Sequence, residues 1–199
     1  MKILLIGANG TIGSAIDREL SPRHEIVRIG RKSGDFQVDI SDSASIRKLF
    51  EQTGRFDALI CAAGNVNFVP LAEMSEKDFA LGLQDKLMGQ VNLMLIGREF
   101  ANDGASFTFT SGVLNREPIR TGSSAALVNA ALDGFVKAAA IELPRGLRVN
   151  SVSPTVLAEA MDKYAPYFRG FKPVAAADVA LAYAKSVEGL QTGQSYNVG

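Results

Sequence analysis

Hydrophobic positions along the chain alternate between short apolar runs and longer stripes at helical spacing. Lys2–Ile6 reads as a strand, and behind it Ile12, Ile16 and Leu20 recur along one helix face. Glu25–Ile29 is the next strand and Gln37–Asp39 a brief third, followed by a helix with Ile46, Leu49 and Phe50 on one side. Asp57–Ala62 is strand-like again. Ser75 and Asp78 have the spacing of a capping box, with Asp in place of the usual Glu or Gln. They open a long predicted helix over 76–101 carrying Phe79, Leu83, Leu87, Val91 and Leu95. Ser106–Thr110 alternates Phe with Ser and Thr, as strands do, and Ser123–Glu142 is alanine-rich and helical, ending before Pro144. Arg148–Val152 is another strand, Val179, Tyr183 and Val187 mark a helix, and Ser195–Val198 closes the pattern as a strand.

Strand and helix in repeated alternation predict an α/β fold with a doubly wound, mostly parallel sheet, a Rossmann-like three-layer sandwich. No linker or repeat divides the 199 residues, so a single domain over 1–199 is expected. Only Arg31–Phe36 separate the second and third strands. A helical crossover between parallel strands takes about a dozen residues or more, so the helix at that place should be absent and replaced by a bare loop.

The 21 basic and 21 acidic residues cancel to zero net charge. That balance argues against bulk binding to nucleic acid or a membrane surface. His24 and Cys61 are the only residues of their types. They exclude a disulfide framework, a cysteine-built metal site and any catalytic arrangement needing two histidines, and no metal site is expected. The opening apolar run stops at Gly7, shorter than the roughly 7–15 residues of a secretory core. No stretch approaches the ~20 apolar residues of a membrane span. A soluble protein of a reducing compartment, the cytoplasm, is the expectation.

The strongest local signal is Gly7-Ala8-Asn9-Gly10-Thr11-Ile12-Gly13, placed between the first strand and the first helix. Glycine there permits positive φ and close approach of backbone to a pyrophosphate, and the helix N-terminus offers N–H donors. Gly7, Asn9, Gly10, Thr11, Ile12 and Gly13 are therefore candidate dinucleotide-binding residues. At the end of the second strand stand Arg31, Lys32 and Ser33, with no acid before Asp35. Two cations and a hydroxyl suit a 2′-phosphate, which favours NADP over NAD; a solvated basic turn is the alternative.

Over nearly its whole length the chain resembles the short-chain dehydrogenase/reductase family. Cys61-Ala62-Ala63-Gly64 is similar to the family's Asn-Asn-Ala-Gly turn, and Asp39-Ile40 to its acidic-aliphatic pair near the adenine. Gly134-Phe135 and Ile141–Pro154 resemble its long helix, sixth strand and following proline, and Thr192–Gly199 its last strand. The resemblance implies cofactor contacts at Asp39, Ile40, Ala62, Ala63, Gly64, Pro154 and Thr155. It also implies a carbonyl/alcohol oxidoreductase with an Asn-Ser-Tyr-Lys set. Ser111 matches the serine, which orients the substrate. The Tyr and Lys positions fall on Ala125 and Asn129, and the Asn position falls on Lys86. None of Tyr164, Tyr167, Tyr183 and Tyr196 has a lysine four residues later.

The lysine and asparagine thus look exchanged between two helices, making Ser111, Lys86 and Asn129 the candidate catalytic residues. Lys86 would serve as a general acid if its pKa were lowered, or would hold the cofactor ribose while Asn129 donates a hydrogen bond. An exposed helix lysine is the plain alternative. Without the tyrosine, a non-catalytic NADP(H)-binding sensor is the rival to an enzyme. Met161–Pro173 interleaves aromatic and basic residues and reads as a flap over a small-molecule substrate, with nucleic-acid binding the lesser alternative. Arg116 and Arg120, flanking Pro118, precede the Ala125 helix as cations near an anionic substrate, or as loop residues that serve solubility. Cys61 reads as a small buried hydrophobe. The helices at 76–101 and 123–142 resemble the family's pairing faces, so a homo-oligomer is expected.

Overall fold

The computed structural model describes residues 1–199. Its strands are β1 (Lys2–Ile6), β2 (Glu25–Gly30), β3 (Phe36–Gln37), β4 (Phe56–Cys61), β5 (Ala101–Thr110), β6 (Arg148–Pro154) and β7 (Ser195–Val198). They form one seven-stranded sheet in the order β3-β2-β1-β4-β5-β6-β7, and every pairing is parallel. The α/β, Rossmann-like expectation is met. The chain reverses its direction of travel across the sheet between β1 and β4, where folds of this type open a crevice.

Helices cover both faces because the central strands are apolar on both sides. On one face lie α2 (Ser43–Thr53), α4 (Gly89–Gly97) and α5 (Ser123–Ala140). They bury Phe50, Leu93, Met94, Leu132 and Val136 against Leu59, Phe107 and Val149. Phe50 stacks on Phe56 at 5.7 Å between ring centres, each fully buried phenyl stabilising the fold by roughly 1.5–3 kcal/mol. On the other face α1 (Thr11–Leu20) packs against α7 (Ala176–Glu188), joining Ile16, Leu20, Val179 and Tyr183 to Ile3, Leu5 and Ile60.

The β2–β3 connection lacks a helix, as its length requires. Parallel pairing survives because β3 is only two residues long, set at Phe36 beside Ile29. The chain has to step back by a single residue. Asp35 closes the loop, its amide donating to the Arg28 carbonyl at 2.7 Å and its carboxylate accepting from the Arg28 amide at 2.8 Å. Gly34 turns there at φ 119°. The third strand therefore sits a residue earlier than Gln37–Asp39.

The predicted helix over 76–101 is corrected in two ways. It begins as expected, with the Ser75 amide donating to the Asp78 carboxylate at 2.8 Å. It then runs as α3 (Glu76–Leu81), a π-helical turn over Gly82–Met88, and α4, and stops at Gly97. A π-turn inserts one extra residue and rotates everything after it out of the earlier phase. Leu95, expected in the core stripe, is accordingly 40% exposed, while Leu93 and Met94 face inward. Beyond α5, the flap is the short helix α6 (Met161–Tyr164) and a turn, tied down by a bridge between Leu157 and Val174.

Candidate active site

The crevice between β1 and β4 is floored by bare backbone. Gly7 ends β1 at φ 84°, and its amide donates to the Ile29 carbonyl at 2.8 Å. A Cβ there would lie 2.6 Å from the Ala62 carbonyl oxygen, and one on Gly13 would collide with the Gly7 carbonyl. Glycine lets α1 start hard against the strand ends. Gly7, Arg31, Asp39, Ile40, Ala63 and Gly64 line one cleft of about 100 Å³. Asn9 lies beside it, its side-chain amide donating to the Ser33 hydroxyl at 2.8 Å. The Asp39 carboxyl is held below the usual carboxylate range by hydrogen bonds from the Ser41 side chain and backbone, with the Arg31 guanidinium 2.9 Å away. Gly10 and Thr11 are exposed at the mouth of α1, and Ile12 packs against the α1/α7 core. Lys32 is exposed and does not line the cleft. Pro154 and Thr155 lie at the end of β6, where the Thr155 amide donates to the Val198 carbonyl at 2.9 Å.

The three candidate catalytic residues come together. Lys86 sits in the π-turn, its stem lying over Gly64, where a Cβ would come within 2.9 Å of three Lys86 carbons. Its ammonium donates to the Asn129 side-chain oxygen at 2.7 Å and to the Ser111 carbonyl at 3.1 Å. Asn129 also donates through Nδ2 to the Gly112 carbonyl at 3.2 Å, which fixes its amide orientation. Both acceptors around the ammonium are neutral. Desolvation among them lowers the Lys86 pKa to about 8, against a smaller opposing pull from Asp133. The exposed-lysine alternative falls. Ser111 is 3% exposed, and its hydroxyl has no partner within the protein. It shares this with the Ser106, Ser124 and Ser195 hydroxyls, but it alone of them belongs to a residue whose backbone carbonyl accepts from the Lys86 ammonium.

Two features escaped the motif reading. The Asn65 amide donates to the buried Asp85 carboxylate at 2.7 Å, and both residues line the dinucleotide cleft. Gln90, fully buried, donates to the Lys86 carbonyl at 2.9 Å and the Thr110 carbonyl at 3.2 Å, and accepts from the Thr110 amide at 2.8 Å. It satisfies backbone groups of the π-turn and ties them to the strand end next to Ser111. Asn65 lies in the loop after β4 and Asp85 and Gln90 in the helical stretch over 76–97, and no motif marks any of them. Ala125 is buried with Val113, Leu114, Val156 and Phe168, and Tyr164 packs against this group. Cys61 is buried as expected, and burial pushes its thiol up to about 12.

A family model described as enoyl-(acyl carrier protein) reductase matches residues 11–190. The chain belongs to the short-chain dehydrogenase/reductase family. That family is generally made up of NAD(P)-dependent oxidoreductases. A short-chain dehydrogenase/reductase, ATR9 of Stachybotrys chlorohalonatus, is 32% identical over 129 residues, 60% of this chain and 51% of that protein. The match thus spans about half the length of that curated relative. Among solved structures, the protein lin1944 from Listeria innocua is 51% identical, with full coverage of both chains and a TM-score of 0.99. A small-chain dehydrogenase solved in complex with NADPH is 27% identical, with a TM-score of 0.88 over all of this chain and 96% of the other.

The crevice of this family member fits a nicotinamide dinucleotide on its own geometry. Its floor at Gly7 and Gly64 has positive φ and no side chains, and Ser111 follows directly on β5, the strand next to β4. No helix is long and apolar enough to cross a membrane.

Proposed function

We propose that this protein is an NADP(H)-dependent oxidoreductase for a carbonyl/alcohol pair, in which Lys86 takes the place of the family's tyrosine as proton donor. The Lys86–Asn129–Ser111 cluster carries this reading. When bound, the nicotinamide supplies or accepts the hydride. The Ser111 hydroxyl, free of protein partners, orients the substrate oxygen. Asn129 and the Ser111 carbonyl take two of the three ammonium protons and leave the third for that oxygen. A pKa of about 8 suits proton transfer near neutral pH. Arg31 and Ser33, exposed at the end of β2, together with Lys32, support a 2′-phosphate on the cofactor, as does the NADPH found in a structural relative.

The test is substrate-dependent NADPH oxidation over aldehydes, ketones and quinones. Lys86→Met should cost roughly 10²-fold or more in kcat, and the wild-type reduction rate should fall as pH rises through about 8. The apolar surroundings of Ala125 favour a second reading, an NADP(H)-responsive binding protein without turnover. Tight NADPH binding with no oxidation of any of these substrates would decide for it.

A further inference from the structure

At the start of α5 the surface opens into two joined clefts of about 420 and 500 Å³, sharing Pro70, Ile119 and Thr121 as a common wall. The first is aromatic. Phe68 faces Tyr164 with ring centres 6.4 Å apart, and Phe68 and Tyr167 are 42% and 53% exposed. Tyr164 also packs against the apolar group containing Val113 and Ala125, and those residues flank Ser111 in sequence and Asn129 on α5. The cleft therefore leads from the flap toward the catalytic cluster. Thr121, on the shared wall, has a φ of 66°, which sets this loop into a sharp turn ahead of α5.

Charge separates these clefts from the crevice cleft, which Asp39 and Asp85 line. In a chain with equal numbers of acids and bases, no Asp or Glu lines either cleft, whereas Lys163 lines one and Arg120 the other. Neither cation is in an ion pair, and Lys163 lies 5.1 Å from the centre of the Tyr164 ring. Exposed aromatic faces bind flat apolar groups, and unpaired cations beside them bind an anion. A concave site of this volume suits a small molecule.

We propose that the substrate is an aromatic carbonyl compound bearing a carboxylate, its ring against Phe68 and Tyr164 and its carboxylate toward Lys163 and Arg120. This rests on the oxidoreductase reading for its chemistry, but the recognition is separable from turnover. Calorimetric titrations of the full-length protein, with and without saturating NADPH, test it with 4-carboxybenzaldehyde, its methyl ester and the aliphatic 4-oxobutanoate. The aromatic acid should bind about 10-fold or more tightly than either of the others. Lys163→Met combined with Arg120→Met, both at exposed positions, should bring acid and ester within about 3-fold of each other. Equal binding of acid and ester by the wild type overturns the proposal. So does a preference untouched by the double substitution, or no binding of the acid at all. A parallel fluorescence titration of NADPH keeps the two readings apart: loss of cofactor binding removes the oxidoreductase assignment, while the acid–ester comparison without NADPH still decides the cleft.

Discussion

A single ammonium organises the candidate active site. The amino group of Lys86 is held by two neutral oxygens, so folding withdraws it from water without giving it a counter-charge in contact. Its folded pKa of about 8 lies below the ordinary lysine value, so between the two the unfolded chain binds more protons than the native one. Stability must therefore rise with pH across that window. In urea unfolding at pH 7 and pH 11, wild type should gain on Lys86→Met by about 3 kcal/mol, the worth of the depressed pKa. A constant difference would place the amine in water. Lys86, Asn129 and Ser111 were legible because each falls on a family motif position. Asn65, Asp85 and Gln90 were not. Asn65 lies in a loop, where a polar residue is ordinary, and the polar Asp85 and Gln90 read as solvent-facing until the local winding of their helix is known.

That winding is settled at the level of the element. Most strands and helices follow from apolar runs and stripes, and the missing β2–β3 helix follows from counting residues. The π-turn over Gly82–Met88 does not, because an extra residue in one turn leaves no mark on composition. It turns the Lys86 ammonium toward Asn129 and leaves the backbone of that turn to be satisfied by Gln90. Gln90→Leu should leave the Lys86 and Thr110 backbone groups unpaired and cost about 2–4 kcal/mol in chemical denaturation. It should also lower the activity that depends on Lys86. Unchanged stability would mean that water replaces the lost bonds. The same turn rotates Leu95 outward, which is why a regular helical stripe misplaces it.

Over the whole molecule, the zero charge sum conceals local differences: Lys163 and Arg120 line the two joined clefts with no acid beside them, while Asp39 and Asp85 line the crevice cleft. Exposed apolar side chains lie on several elements, among them Met88 in the π-turn, Leu95 on α4 and Leu127 on α5 at 40–44% exposure, and Leu181 on α7 at 55%. We propose self-association through the face that α4 and α5 present. Sedimentation should find the wild type as a dimer or larger and Leu95→Lys with Leu127→Lys shifted toward monomer; a monomeric wild type would leave the face without a partner of its own kind.

The contact between α1 and α7 carries a consequence in time. The Arg23–Glu188 pair that follows it spans 165 positions of the chain. At synthesis rates of ~5–20 residues per second, the apolar stripe of α1 waits roughly 10–30 s for the helix that covers it. Throughout that interval Ile16 and Leu20 lack much of their native cover. The nascent chain is exposed to aggregation, and of interest to a chaperone, on the side of the sheet away from Lys86 and Asn129.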